Sequence, residues 1–352
     1  MSLPVGRAYR SLVLADGAVA LREQAVTPRG EDPKLVLAPR VVGVCRSDLK
    51  EIAGKRSVRS DFGHELVADV IASDPPELLA GARVCLDPHR TVTRTSGFGE
   101  LIEISGAAEE LTAALPVLPP ELPDDVGVFV EPLACALHGV RRWTGEPDAR
   151  PKGARVAVVG GGMAGFLIAQ GVMAAGSRVT VVNRSPGRLR ELAARDLLPT
   201  TALRTLDERT DERFDAVFIA TSMLTAEGWG WATAHVAAGG AIVLYAGTHP
   251  GMDTVPGLDV DAVRRGQRRV PIPGADASLL GTHGATPEDF AASIALLADP
   301  DAGVAPRLER LVTARITLEE AARRLVEYVR AAPFGKTVVT FGGDPRSAAL
   351  AA

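Results

Sequence analysis

The stretch that most restricts what this chain can fold into is Gly160-Gly161-Gly162-Met163-Ala164-Gly165. An apolar run of strand composition, Arg155-Val156-Ala157-Val158-Val159, leads into it. Phe166-Leu167-Ile168-Ala169-Gln170, Val172 and Met173 then follow at helical spacing, and Ala175-Gly176 closes that helix. A β-branched run, Val179-Thr180-Val181-Val182, comes next. Strand, glycine turn, helix and strand make the first βαβ unit of a dinucleotide-binding fold. In Gly160-x-Gly162-x-x-Gly165 the first glycine makes the tight turn, the second lets backbone approach a pyrophosphate, and the third lets helix pack close to strand. The pyrophosphate is expected on free N–H groups at the positive end of the helix dipole, with Gly160, Gly162, Met163, Ala164 and Gly165 around it.

At 352 residues the chain exceeds one ordinary core, so two domains are expected. Hydrophobic residues at 46% and charged residues at 23% describe a soluble globular protein. A formal net charge of -4 argues against nucleic acid as the main partner. The N-terminus lacks the basic, apolar and small-residue order of a signal peptide, and no apolar run reaches the ~18 residues of a membrane span. Three cysteines far apart cannot form a disulfide framework, so the expected location is a reducing cytoplasm.

The first part of the chain reads as short strands: Ser11-Leu12-Val13-Leu14, Val19-Ala20-Leu21, Leu35-Val36-Leu37, then Gly81 to Leu86 and Gly99 to Ile104. Leu49 to Gly54 reads as a short helix, and His64-Glu65 stands at the mouth of another strand. Val128 to His138 changes to a helix that carries the chain out of this β-rich part. From about 151 the rhythm is βαβα, with Phe214 to Ala220 and Ala241 to Tyr245 as buried parallel strands and Ala232 to Ala238 as the helix between them. Ala277 to Gly281 is the last strand of that series, and Thr286-Pro287-Glu288 opens a helix through Leu297. Leu318 to Val329 and Lys336 to Phe341 add one helix and one strand. The fold class is α/β: a β-rich catalytic domain over 1–149 and 285–352, and a doubly wound parallel-sheet (Rossmann) domain over 150–284.

Cys45, His64, Glu65 and Glu131 are residue types that hold zinc, and all lie outside the nucleotide domain. Asp48 is a fitting acceptor for the second nitrogen of His64, which would fix its tautomer. Gly43-Val44-Cys45-Arg46-Ser47-Asp48, Gly63-His64-Glu65 and Val130-Glu131-Pro132-Leu133-Ala134, followed by the glycine motif, resemble the zinc-containing medium-chain dehydrogenase/reductase family. The pattern is closest to its sorbitol and threonine dehydrogenase branch and runs from about residue 35 to 341. The resemblance implies a GroES-like catalytic domain and a catalytic zinc on Cys45 and His64. Either Glu65 or Glu131 completes the site, and family members differ over which touches metal. It also implies that Ser47 passes the alcohol proton outward. Lys50 stands where some relatives end that relay with histidine.

Two departures carry information. Most relatives hold a second, structural zinc in a lobe with four cysteines, whereas Pro88 to Phe98 here contains none, so a single catalytic zinc is expected. An NAD enzyme also places an acidic residue at the end of the second strand, where this chain has Asn183-Arg184-Ser185, with Arg188 one turn on. Two guanidiniums and no carboxylate suit a 2′-phosphate, so NADP is the expected cofactor. The expected activity is hydride transfer between NADP(H) and a secondary alcohol or ketone of a polyol, sugar or cyclitol, in a homodimer or homotetramer. The alternatives are a threonine-type or simple secondary-alcohol dehydrogenase, or a non-catalytic NADPH-binding protein. Lys55-Arg56-Ser57-Val58-Arg59, with Arg90 and Arg94, forms a basic set that either steers an anionic substrate or faces water as an ordinary solvated loop.

Overall fold

In a computed structural model of the chain, residues 2–15, 18–54, 62–331 and 334–341 are described. They divide into two compact units, Met1–Glu131 with Ile294–Ala352, and Pro132–Ser293. The contact boundary falls earlier than the change of rhythm in the sequence, because most of the helix α4 (Val130–Thr144) packs with the second unit.

The first unit opens with an antiparallel pair, β1 (Ala8–Ala15) and β2 (Ala18–Ala25). Strand β3 (Lys34–Gly43) is buried almost throughout, which is why it reads as a continuous apolar run and not as an alternation. It is followed by α1 (Arg46–Ile52), β4 (Glu65–Asp74), β5 (Arg83–Val84), β6 (Thr93–Arg94), β7 (Ile102–Ser105), α2 (Ala108–Ala114) and α3 (Asp124–Gly127). A proline inside a paired strand removes a ladder donor, and the β3/β4 register shifts between Pro39 and Val41 to absorb it. Leu35, Leu37, Phe62, Leu66, Phe98 and Ile102 belong to the apolar core of this unit.

The second unit carries β8 (Arg155–Val159), α5 (Met163–Ala174), β9 (Arg178–Asn183), α6 (Pro186–Ala194), β10 (Leu203–Thr205) and β11 (Phe214–Ile219). It continues through α7 (Ala226–His235), β12 (Val236–Leu244), α8 (Val260–Arg265), β13 (Arg269–Pro271) and β14 (Ala277–Gly281). The sheet order is β10-β9-β8-β11-β12-β14-β13, parallel except for the edge strand β13. The chain runs outward in both directions from β8 and β11, so the topological switch point lies between them, beside the glycine turn. The helix expected over Ala232 to Ala238 ends at His235 instead. Val236 turns extended and pairs with Phe214, and the strand register then shifts before Ala216.

The chain ends with α9 (Pro287–Ala298), α10 (Val304–Glu309), β15 (Val312–Thr317), α11 (Leu318–Ala331) and β16 (Lys336–Thr340). Strands β15 and β16 join the sheet of the first unit in the order β15-β16-β3-β4-β5. No helix among the described residues is long and apolar enough to cross a membrane.

Candidate active site

Register brings the first cluster together. Gly43 at the end of β3 pairs with Glu65 at the start of β4, and also with Val338 near the start of β16. Residues just beyond or at those three strand ends therefore meet at one corner: Cys45, His64, Glu65 and Lys336. One ligand atom each of Cys45, His64 and Glu65 lies within 4.8 Å of the other two.

The corner is held by local chemistry. Cys45 is the N-cap of α1, its Sγ accepting from Ser47 N at 3.4 Å, while Asp48 Oδ2 accepts from Cys45 N at 2.9 Å. The other Asp48 oxygen accepts from Gly63 N at 2.9 Å and lies 3.5 Å from His64 Nδ1. Asp48 thus ties the Cys45 loop to the His64 loop and leaves His64 Nε2 toward the cluster, 3.4 Å from Ser47 Oγ. Ser47 Oγ in turn lies 3.1 Å from Cys45 Sγ. Burial pushes the Cys45 thiol up, and the neighbouring Glu65 charge adds to it. Burial opposes a charge on His64, but Asp48 and Cys45 outweigh it and raise its pKa well above the ordinary value.

Lys336 was not among the residues singled out from the sequence. It is buried, its Nζ donates to Glu65 Oε2, and it sits 5.7 Å from the centre of the Phe129 ring. Burial works against its charge, and the fields of Glu65, Cys45 and then Glu131 restore it. Glu131, in the first turn of α4, is buried and within the field of Lys336, but it is not one of the three residues whose ligand atoms converge. A lysine heading an otherwise apolar strand, Lys336-Thr337-Val338-Val339, is the one signal that was available.

The glycine turn has the geometry its spacing requires. Gly160 has φ +119°, and a Cβ on Gly165 would fall 1.8 Å from the Gly160 carbonyl oxygen. Gly162 is the N-cap of α5 without any side-chain cap, and a Cβ there would meet nothing within 4 Å. The first N–H groups of Met163 and Ala164 follow it. Asn183, at the end of β9, accepts from Gly161 N at 2.9 Å and donates to Ser185 O at 3.0 Å, so it braces the turn. Arg188 Cγ would lie 3.2 Å from a Cβ on Gly161, which puts this arginine beside the turn, where it also pairs with Glu191 at 3.2 Å. Arg184 is exposed on the same connection, and Ser185 caps α6.

The basic set divides. Residues 55–61, which include Lys55, Arg56, Ser57, Val58 and Arg59, lie outside the described residues. Arg90 donates to Asp87 at 3.1 Å, and Arg94 donates to the carbonyls of Gly63 and Thr95 at 3.1 and 3.2 Å, so both brace the link between 88 and 98. Asp87 also accepts from His89 N at 3.0 Å. All three cysteines are free thiols.

The comparisons with known proteins fit this geometry. A family model for shikimate/quinate 5-dehydrogenases matches residues 147–226, which run from the approach to β8 through β11. L-Galactonate-5-dehydrogenase of Escherichia coli K12 is 25% identical over 311 residues, 79% of this chain and 84% of that protein. Among solved structures, L-idonate 5-dehydrogenase of Escherichia coli superposes with a TM-score of 0.70 at 18% identity, covering 95% of this chain and 99% of that one. Both units are therefore shared. The chain has the two-unit fold of these dehydrogenases. Galactitol-1-phosphate dehydrogenase of Escherichia coli has the same fold, with a TM-score of 0.69 at 17% identity, over 94% of this chain and 100% of that one. So has a Sinorhizobium meliloti 1021 protein assigned as a zinc-binding dehydrogenase with NADP bound, with a TM-score of 0.72 at 21% identity, over 95% of this chain and 100% of that one. In this fold the three-strand corner and the glycine turn are two places where chemistry-bearing residues converge.

Proposed function

We propose that the chain is a zinc-dependent, NADP-preferring dehydrogenase of a polyol or sugar alcohol. The observation that carries this reading is the convergence of Cys45, His64 and Glu65 within 4.8 Å at one corner. Thiolate, imidazole and carboxylate are the donor set of a catalytic zinc. Charge supports the fit. A Cys45 thiolate, Glu65 and Glu131 against the Lys336 cation sum to the two negative charges that balance a dication, while Asp48 is compensated by two backbone N–H groups and His64. Both glutamates can then belong to the site, with Cys45, His64 and Glu65 or Glu131 as the metal's partners. A bound zinc would supply Lewis-acid polarisation of a substrate oxygen.

The chain's own residues have definite tasks in this reading. Asp48 fixes His64 with Nδ1 toward the carboxylate, and Ser47 Oγ is placed to take up and hand on the hydroxyl proton of an alcohol. The uncapped α5 N-terminus and the bare Gly162 suit a pyrophosphate. Asn183 occupies the position where a carboxylate would take ribose hydroxyls, and Arg184 and Arg188 supply the cations that suit a 2′-phosphate. The compounds for which three relatives are named, L-galactonate, L-idonate and galactitol 1-phosphate, are polyol-type, which favours that class over a simple alcohol.

The test is a panel of polyols, aldonates and cyclitols with both cofactors, for wild type and Cys45→Ala. Wild type is expected to reduce NADP with at least one of them, and Cys45→Ala to lose that activity while keeping its circular dichroism spectrum and its cofactor affinity. Undiminished turnover by Cys45→Ala would remove the metal reading.

A further inference from the structure

Helix α8 and the turn after it carry four arginines within six residues, Arg264, Arg265, Arg268 and Arg269. Two are paired outward: Arg265 with Asp261 at 2.9 Å, and Arg269 with Glu146 at 2.8 Å. Arg264 differs. Its Nε is buried and has no hydrogen-bond partner among the described residues. It lies within the fields of Tyr245, Asp261 and Cys135, and burial draws its pKa below the ordinary guanidinium value. The carboxylate of that group, Asp261, is already engaged by Thr248 at 2.6 Å and by Arg265.

The position is built, not incidental. A Cβ on Gly281 would fall 2.0 Å from Val263 O and 2.9 Å from Arg264 Cα, so this glycine lets the end of α8 lie directly on the end of β14. On the far side, His138 Nε2 meets Gln267 Oε1 at 2.5 Å and Arg142 donates to Gln267 O at 2.7 Å, which pins the following turn to α4. Tyr245, the first residue past β12, lies with its ring 3.6 Å from where a Cβ on Gly139 of α4 would stand. Arg264 is therefore held at the C-terminal ends of β12 and β14, the edge of a parallel sheet where ligands of such folds bind.

We propose that Arg264 receives an oxyanion, the carboxylate or phosphate of a bound small molecule. A guanidinium whose buried Nε has no hydrogen-bond partner among the described residues is a costly arrangement that a paired, charge-assisted contact to such a group relieves. The cofactor's pyrophosphate is the other source of this chemistry. It belongs at the turn after β8, and β12 is two strands away in the sheet, roughly 10 Å at ordinary strand spacing. The assignment rests on the dehydrogenase reading only for the identity of the molecule that carries the anion.

The test is calorimetric binding to the NADP-saturated full chain, with gluconate, inorganic phosphate and neutral sorbitol as probes. Wild type is expected to bind one of the two anions more tightly than sorbitol, and Arg264→Gln to weaken that anion by roughly 10- to 100-fold, the loss typical of a charge-assisted hydrogen bond. Arg265→Gln removes the same charge one residue along and should leave the affinity within about threefold. Arg264→Lys keeps the charge and should recover part of the loss, which separates a missing contact from a displaced turn. Equal weakening by Arg264→Gln and Arg265→Gln, no preference of wild type for either anion, or a loss of NADP affinity in place of anion affinity would each overturn the assignment. Anion binding that depends on Arg264, in a protein that oxidises no polyol, would overturn the dehydrogenase reading and leave the anion site standing.

Discussion

Lys336 and Glu65 form a buried ion pair beside the Cys45 thiol and the His64 imidazole of the candidate metal corner. Removing one partner of such a pair leaves an uncompensated charge in a desolvated place, a loss of about 3–5 kcal/mol. Lys336→Met is therefore expected to destabilise the chain by that order in urea or guanidinium unfolding. Adding Glu65→Gln should restore part of it, because the orphaned charge goes with the second change. A Lys336→Met variant as stable as wild type would mean that Glu65 finds its compensation elsewhere. The pair was not legible in the sequence, because its members stand 271 residues apart and only the antiparallel register of β3 with β4 and β16 joins them. Arg264 was hidden differently. Four nearby arginines look alike as letters, and the fold alone separates the inward one from the two paired outward.

At the scale of elements, β8, α5 and β9 could be read almost completely, since Gly160 and Gly165 have local steric reasons. The α7/β12 boundary could not. Val236-Ala237-Ala238 suits helix or strand by composition, and pairing of Val236 with Phe214 decides for strand. In the proposed function the β9–α6 connection carries the cofactor preference. Arg184→Ala with Arg188→Ala should weaken NADPH binding by about 1.5–3 kcal/mol per lost charged contact and leave NADH nearly unaffected. Equal losses for both cofactors would place these arginines outside the 2′-phosphate site. Within the second unit, α4 and α9 are stapled by Asp289. Its carboxylate lies 2.8 Å from His138 Nδ1, accepts from Arg141 Nε at 2.8 Å, and accepts from Thr286 N at 2.8 Å. Burial opposes its charge, but His138 and Arg141 hold the carboxyl well below the usual range. In acid the unfolded chain takes up a proton near pH ~4 and the folded chain does not, so stability present above that pH is lost as the pH falls. Thermal unfolding of wild type should therefore decline below pH ~4, and Asp289→Asn should start lower and decline less steeply. A parallel acid decline in both would show that other carboxylates dominate.

At the scale of the whole molecule, the division into a β-rich unit and a doubly wound unit followed from one change of hydrophobic rhythm and one glycine motif. The metal corner was legible as a ligand set, but its assembly depends on three strand ends meeting, which no spacing along the chain states. The proposed function requires this corner to hold a zinc on which hydride transfer depends. Its most direct measurement is a zinc titration of metal-stripped protein, following NADPH formation with a polyol that wild type oxidises. Activity is expected to be absent without metal and to rise linearly to a plateau at about one zinc per chain. Full activity in the stripped protein, or a plateau reached only near two zincs per chain, would contradict it.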